Sequence, residues 1–137
     1  MIVIDASIAL AWSHKDELTE PVRLVFAQVA EGGAIAPVIW TLEVANGLQM
    51  AVRRRRITRP YRDELLANFR RLPIEIDGRA GSMAWDTLLY LSDRHDLTVY
   101  DAAYLELALR RRLPLATLDD ALIKAARADG IEVLPPP

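Results

Sequence analysis

The feature that most constrains this chain is its alternation of very short β-branched or apolar runs with helical stripes. Ile2-Val3-Ile4 is long enough for a buried strand and meets Asp5 at once. Ala6 to Trp12 reads as one or two helical turns. Thr19-Glu20-Pro21 has the form of an N-cap and a first-turn proline, and Val22, Val25, Phe26 and Val29 continue at helical spacing until Gly32-Gly33. Ala34-Ile35-Ala36 is a second strand. After Pro37 a long helix is expected to about Arg55, with Leu42, Ala45, Leu48 and Val52 on its inner face. Arg59-Pro60 opens another helix, striped by Tyr61, Leu65, Phe69 and Leu72, and Pro73 ends it before the strand Ile74-Glu75-Ile76. Gly78 to about Arg94 is expected to be helical around Met83, Leu88 and Leu91. A helix from Asp101 through Arg112, a strand from Leu115 to Leu118, a helix from Asp119 to Asp129 and a strand from Ile131 to Leu134 complete the series. Such alternation implies an α/β three-layer sandwich, a small parallel sheet flanked by helices, with residues 1–137 forming one domain.

Composition narrows what such a domain does. A hydrophobic fraction of 52% against 26% charged supports a real core and excludes disorder. The net charge is −2, so binding to a polyanion has to come from a local basic patch. The absence of cysteine excludes disulfide scaffolds, thiolate zinc sites, iron–sulfur clusters and cysteine nucleophiles. The start Met1-Ile2-Val3-Ile4-Asp5 lacks the basic n-region of a signal peptide, and the apolar stretch Ala34 to Leu42 is far short of the ~20 residues a bilayer span needs. A soluble, cytoplasmic protein with no membrane partner is expected.

In open parallel sheets, ligands bind at the carboxyl ends of the strands. Asp5 and Asp119 fall there by counting, directly after Ile2 to Ile4 and Leu115 to Leu118. Glu43 sits in the apolar stretch Val38 to Val52, and Asp101 heads its helix. Each has a plain alternative. Asp5, Asp101 and Asp119 suit N-caps, and Glu43 suits a solvent-facing position or a pair with an arginine. As a set they point elsewhere. Converging carboxylates repel one another unless a cation compensates them, and two divalent ions balance four of them. Oxygen-only ligation points to Mg²⁺ or Mn²⁺ rather than zinc, and such a site serves phosphodiester hydrolysis.

Ile4-Asp5-Ala6-Ser7, Glu43-Val44-Ala45-Asn46, Tyr100-Asp101-Ala102-Ala103-Tyr104-Leu105 and Leu115-Ala116-Thr117-Leu118-Asp119-Asp120-Ala121-Leu122 resemble, in order, the motifs of PIN-domain proteins. The likeness is greatest to the VapC-type toxins of toxin–antitoxin pairs, and it extends over essentially the whole chain. It implies a PIN-like fold and a metal-dependent endoribonuclease using Mg²⁺ or Mn²⁺. It further implies an RNA substrate, a cognate antitoxin protein as partner, and a homodimer. It places Asp5, Glu43, Asp101 and Asp119 on the four acidic positions. Ser7, Asn46 and Thr117 match the family's supporting polar positions, and Asp120 is a neighbour able to share the role of Asp119. Glu106 is expected to face solvent.

Arg53-Arg54-Arg55-Arg56, followed by Arg59 and Arg62, is the longest basic cluster. It suits RNA phosphates, an acidic antitoxin segment, or simply the negative end of a helix dipole. His14 and His95 are expected at the surface, and Trp12, Trp40 and Trp85 as core or interface anchors. A receiver domain would need paired acids after the first strand and a lysine directly after a late strand, which the chain lacks. A haloacid-dehalogenase-like phosphatase would need Asp where Ser7 stands. The surviving rival is a non-catalytic PIN-like module that binds RNA or protein.

Overall fold

The computed structural model describes all residues 1–137. In chain order the elements are β1 (Ile2–Ile4), α1 (Ala6–Ser13), α2 (Glu20–Gly32), β2 (Ala34–Pro37), α3 (Ile39–Arg53), α4 (Arg59–Phe69) and β3 (Ile74–Asp77). Then follow α5 (Ala80–Met83), a π-helical stretch (Ala84–Leu88), α6 (Leu89–His95), α7 (Val99–Arg111), β4 (Leu115–Ala116), α8 (Asp120–Ala128) and β5 (Val133–Leu134). The strands form one parallel sheet in the order β3-β2-β1-β4-β5. The chain therefore winds outward from β1 to β3, returns across the sheet, and winds outward again through β4 and β5. Right-handed crossovers put α1 to α4 on one face and α5 to α8 on the other. Packing agrees: α1 lies against α2 and α3, whereas α7 lies against α6 and α8.

The core follows from sequence at the sheet centre. Every residue of β1 and β2 is buried, as β-branched and small side chains covered on both faces should be. Helix α7 is buried without interruption from Ala102 to Ala108, so it is a central rather than an amphipathic surface helix. Helix α2 ends as expected, with Gly33 in a positive-φ conformation at 76°. Gly47 lets α3 approach α1 closely, because a Cβ there would lie 2.6 Å from the Leu10 methyls.

Several expectations fail for identifiable reasons. Helix α3 buries Trp40, Val44, Leu48 and Ala51, while Leu42 and Ala45 are exposed, so its inner face is rotated from the expected stripe. The Gly78 to Arg94 segment is divided by the π-helical stretch, which has no local sequence signature. Strand β4 stops at Ala116, and Thr98 rather than Asp101 caps α7, accepting from the Asp101 backbone N–H at 3.1 Å. His14 is buried, and His95 is tied to Asp129 at 2.9 Å. Trp12 and Trp40 are core residues, but Trp85 is 94% exposed. No helix is long and apolar enough to cross a membrane.

Candidate carboxylate site

The winding of the sheet reverses between β1 and β4, the place where open parallel sheets bind ligands at the carboxyl ends of their strands. Asp5 leaves β1 at this point. Its backbone N–H donates to the Ala116 carbonyl at 2.9 Å, fixing it to the end of β4. Asp5 occupies the N-cap position of α1, yet its side chain makes no capping bond. Oδ2 instead accepts from Ser7 Oγ at 2.6 Å and from Thr117 Oγ1 at 2.7 Å. Both hydroxyls are themselves fixed: Ser7 Oγ accepts the Leu118 N–H at 2.9 Å and Thr117 Oγ1 accepts the Asp119 N–H at 3.1 Å. Two short side chains therefore lock one carboxylate oxygen against the loop after β4. The other oxygen makes no hydrogen bond to protein.

Asp119 starts α8, where Oδ1 accepts the Leu122 N–H at 2.9 Å. The N-cap reading is thus correct for Asp119, and capping occupies one oxygen of the two. Asp101, in the first turn of α7, is half-buried beside the capping Thr98. Glu43, in the first turns of α3, is half-buried and accepts from the hydroxyl of Tyr104 on α7 at 2.8 Å.

The charges of these groups act on one another. Burial pushes the Glu43 carboxyl above its ordinary range, and the charges of Asp5 and Asp101 push it further against the opposing Tyr104 hydrogen bond. Burial also raises Asp101, reinforced by Asp119 and Asp5. Tyr104 is raised well beyond the usual phenol range by burial and by Glu43 and Asp5. None of the four acids forms an ion pair with a basic side chain. Their side chains do not close on a single point as a ready ligand cage. The donor set still suits Mg²⁺ or Mn²⁺: it is all oxygen, anionic and uncompensated.

The remaining expected residues are placed unequally. Asn46 is exposed, one turn beyond Glu43, without a hydrogen bond. Asp120 is exposed as the first residue of α8, and Asp119, not Asp120, acts on Asp101. In the basic run Arg53 ends α3, Arg54 and Arg55 follow it, and Arg56 pairs with Glu17 at 3.2 Å. Arg53, Arg54 and Arg55 are exposed and unpaired. A cavity of about 500 Å³ lined by His14, Arg56, Thr58 and Tyr61 lies apart from the carboxylates.

Sequence reasoning missed two features. One is Tyr104, for which the available signal is its spacing of three from Asp101 on a helix. Glu106 does not face solvent: it is buried and pairs with Arg110 at 2.7 Å, and Arg110 pairs with Asp77 at the end of β3 at 3.0 Å.

Residues 2–128 match the PIN domain family, and the chain belongs to it. No curated protein matches the chain in sequence. Among solved structures it is similar to VapC20 of Mycobacterium tuberculosis, a sarcin-ricin loop cleaving toxin. The identity is 15%, the TM-score 0.67, and the match covers 98% of this chain and 100% of that one. It is also similar to FitAcB from Neisseria gonorrhoeae, at 14% identity and TM-score 0.66, covering 98% of this chain and 96% of that one. A toxin-antitoxin complex from Klebsiella pneumoniae matches at 17% identity and TM-score 0.59 over 87% of each chain. At such identities these likenesses establish the fold.

Proposed function

We propose that the chain is a metal-dependent endoribonuclease acting in the cytoplasm as the toxin of a toxin–antitoxin pair. The observation that carries this reading is a set of four carboxylates in one another's field, with no cation of the protein set against them. Asp5, Glu43, Asp101 and Asp119 would hold Mg²⁺ or Mn²⁺. Such ions, when bound, lower the pKa of an attacking water and stabilise the departing oxygen of a phosphodiester. The protein's own contribution is orientation. Ser7 and Thr117 fix Asp5 so that one oxygen remains free, and the Leu122 N–H fixes Asp119 in the same manner. Asn46 and Asp120, both exposed, would support these acids. Arg53, Arg54 and Arg55 supply unpaired positive charge for RNA phosphates or for an acidic antitoxin segment.

Family membership supports nuclease chemistry, and the toxin and toxin–antitoxin neighbours support an antitoxin partner. A homodimer is part of the same reading: Trp85, Leu89 and Tyr90 form an exposed apolar stripe suited to a self-complementary two-fold contact. A non-catalytic RNA-binding module is the weaker reading, because uncompensated carboxylates repel a polyanion. The test is cleavage of RNA, including structured ribosomal and transfer RNA, by the purified protein with Mn²⁺ and with chelator. Cleavage should need the metal, stop with chelator and return on adding Mn²⁺. Cleavage indifferent to chelator would reject the metal-dependent assignment.

A further inference from the structure

We propose that Tyr104 is a positioning residue of the carboxylate site: its hydroxyl holds Glu43 facing Asp5 and Asp101, so that Glu43 meets a divalent ion already oriented. The inference rests on the metal-dependent reading above and goes beyond it in assigning a residue that is not an acid.

Tyr104 is fully buried, and its hydroxyl lies 2.8 Å from Glu43 Oε1. An ionised carboxylate oxygen only accepts, so the tyrosine donates. Glu43 depends on this bond more than its neighbours depend on theirs. Asp5 is locked by two hydroxyls and Asp119 by a backbone N–H. Asp101 has a short side chain on a stiff, capped helix. Glu43 has one more rotatable bond than any aspartate, and the tyrosine hydroxyl is its sole hydrogen-bond partner in the protein. Without that bond, repulsion from Asp5 and Asp101 would favour rotamers that turn Glu43 outward, and an ion would have to gather it back. Outer-shell donors of this kind govern metal affinity through the ligand they orient.

The competing account is structural: Glu43 merely satisfies a hydroxyl that happens to be buried. Tyr104→Phe separates the two, since it keeps the ring and removes one oxygen. In the full chain, Mn²⁺ titration by calorimetry should show affinity about 10–100-fold weaker than the parent. In a Glu43→Gln background the same substitution should add little. In metal-free protein, the Glu43 side-chain carbons should show one rotamer by NMR in the parent and averaging in Tyr104→Phe. Unchanged Mn²⁺ affinity in Tyr104→Phe, with or without a shift in melting temperature, overturns the proposal. So does an equal loss in both backgrounds. A parent that takes up no Mn²⁺ at millimolar concentration instead removes the metal-dependent reading itself, and this proposal with it.

Discussion

Helix α7 serves two acidic clusters that differ in one respect. Toward its start, Asp101 and Tyr104 face Asp5, Glu43 and Asp119, and no basic side chain joins them. Further on, Glu106 and Asp77 both bind the guanidinium of Arg110. The consequences are opposite. Glu43 and Asp101 are pushed up by burial and by neighbouring carboxylates. Burial alone would push Asp77 up too, but hydrogen bonds from Arg110 and the Arg79 N–H outweigh it and hold Asp77 below its ordinary range. Where the fold needs a carboxylate for structure, it supplies the counter-charge internally. Where it leaves carboxylates unbalanced, a proton or an external cation can supply the missing charge.

The most severe test of this contrast is Asp5→Asn. The amide oxygen can still accept from Ser7 and Thr117, so the local geometry survives while one charge disappears. RNA cleavage should fall by about 10²–10⁴-fold, the equivalent of losing several kcal/mol of metal-derived stabilisation. Urea unfolding of the metal-free protein should show no loss of stability, because one member of a repelling set is gone. Undiminished cleavage by Asp5→Asn would place the chemistry elsewhere.

The balanced cluster should behave in the reverse way. Arg110→Met strands Glu106 and Asp77 without their cation and should cost roughly 3 kcal/mol of stability, with cleavage per folded molecule unchanged. The pH dependence of the metal-free protein sharpens the comparison. Asp77 has a folded pKa below its unfolded value, so its stabilisation is present above pH 3.8 and is lost as pH falls through the folded value. Glu43 and Asp101 have folded values above 4.5 and 3.8, so they favour folding at low pH, and that contribution is lost as pH rises through the raised values. Urea midpoints across pH should therefore lose their acid-side fall in Arg110→Met and part of their decline with rising pH in Glu43→Gln, the Asp101 part remaining. A Glu43→Gln profile superimposable on the parent's would mean that neither burial nor the neighbouring carboxylates raise Glu43.

Legibility in the sequence follows how local each determinant is. Strands β1 and β2 are readable because a few consecutive β-branched or small residues suffice, and Asp5 and Asp119 because they follow such runs. The face of α3 is not. The stripes through Leu42 and Ala45 and through Trp40 and Val44 share Leu48, and only packing against other elements chooses between them. The role of Tyr104 is hidden because its partner is 61 residues away. Glu106 reads as a surface residue until Asp77, 33 residues from Arg110, is brought to the same place by β3. The acids are visible one at a time; what makes them a set is the return of the chain across the sheet.

The smallest expected effect concerns how a polyanion reaches an acidic site. If RNA is the substrate, repulsion from four carboxylates must be offset along its path, and Arg54 and Arg55 are exposed and carry no counter-ion. Arg55 also adopts φ 58°, a left-handed conformation that suits glycine better than a side chain. Arg54→Ala with Arg55→Gly therefore makes capture and stability move apart. Relief at position 55 should leave stability unchanged or raised by up to about 1 kcal/mol. Removing two phosphate contacts should flatten the dependence of log affinity on log salt by about 1.4 for single-stranded RNA, at about 0.7 per contact. The measurement is RNA binding across a salt series with Ca²⁺ replacing Mn²⁺ to suppress cleavage. An unchanged slope would assign these arginines to the protein partner instead, and loss of antitoxin binding in the same variant would confirm that assignment.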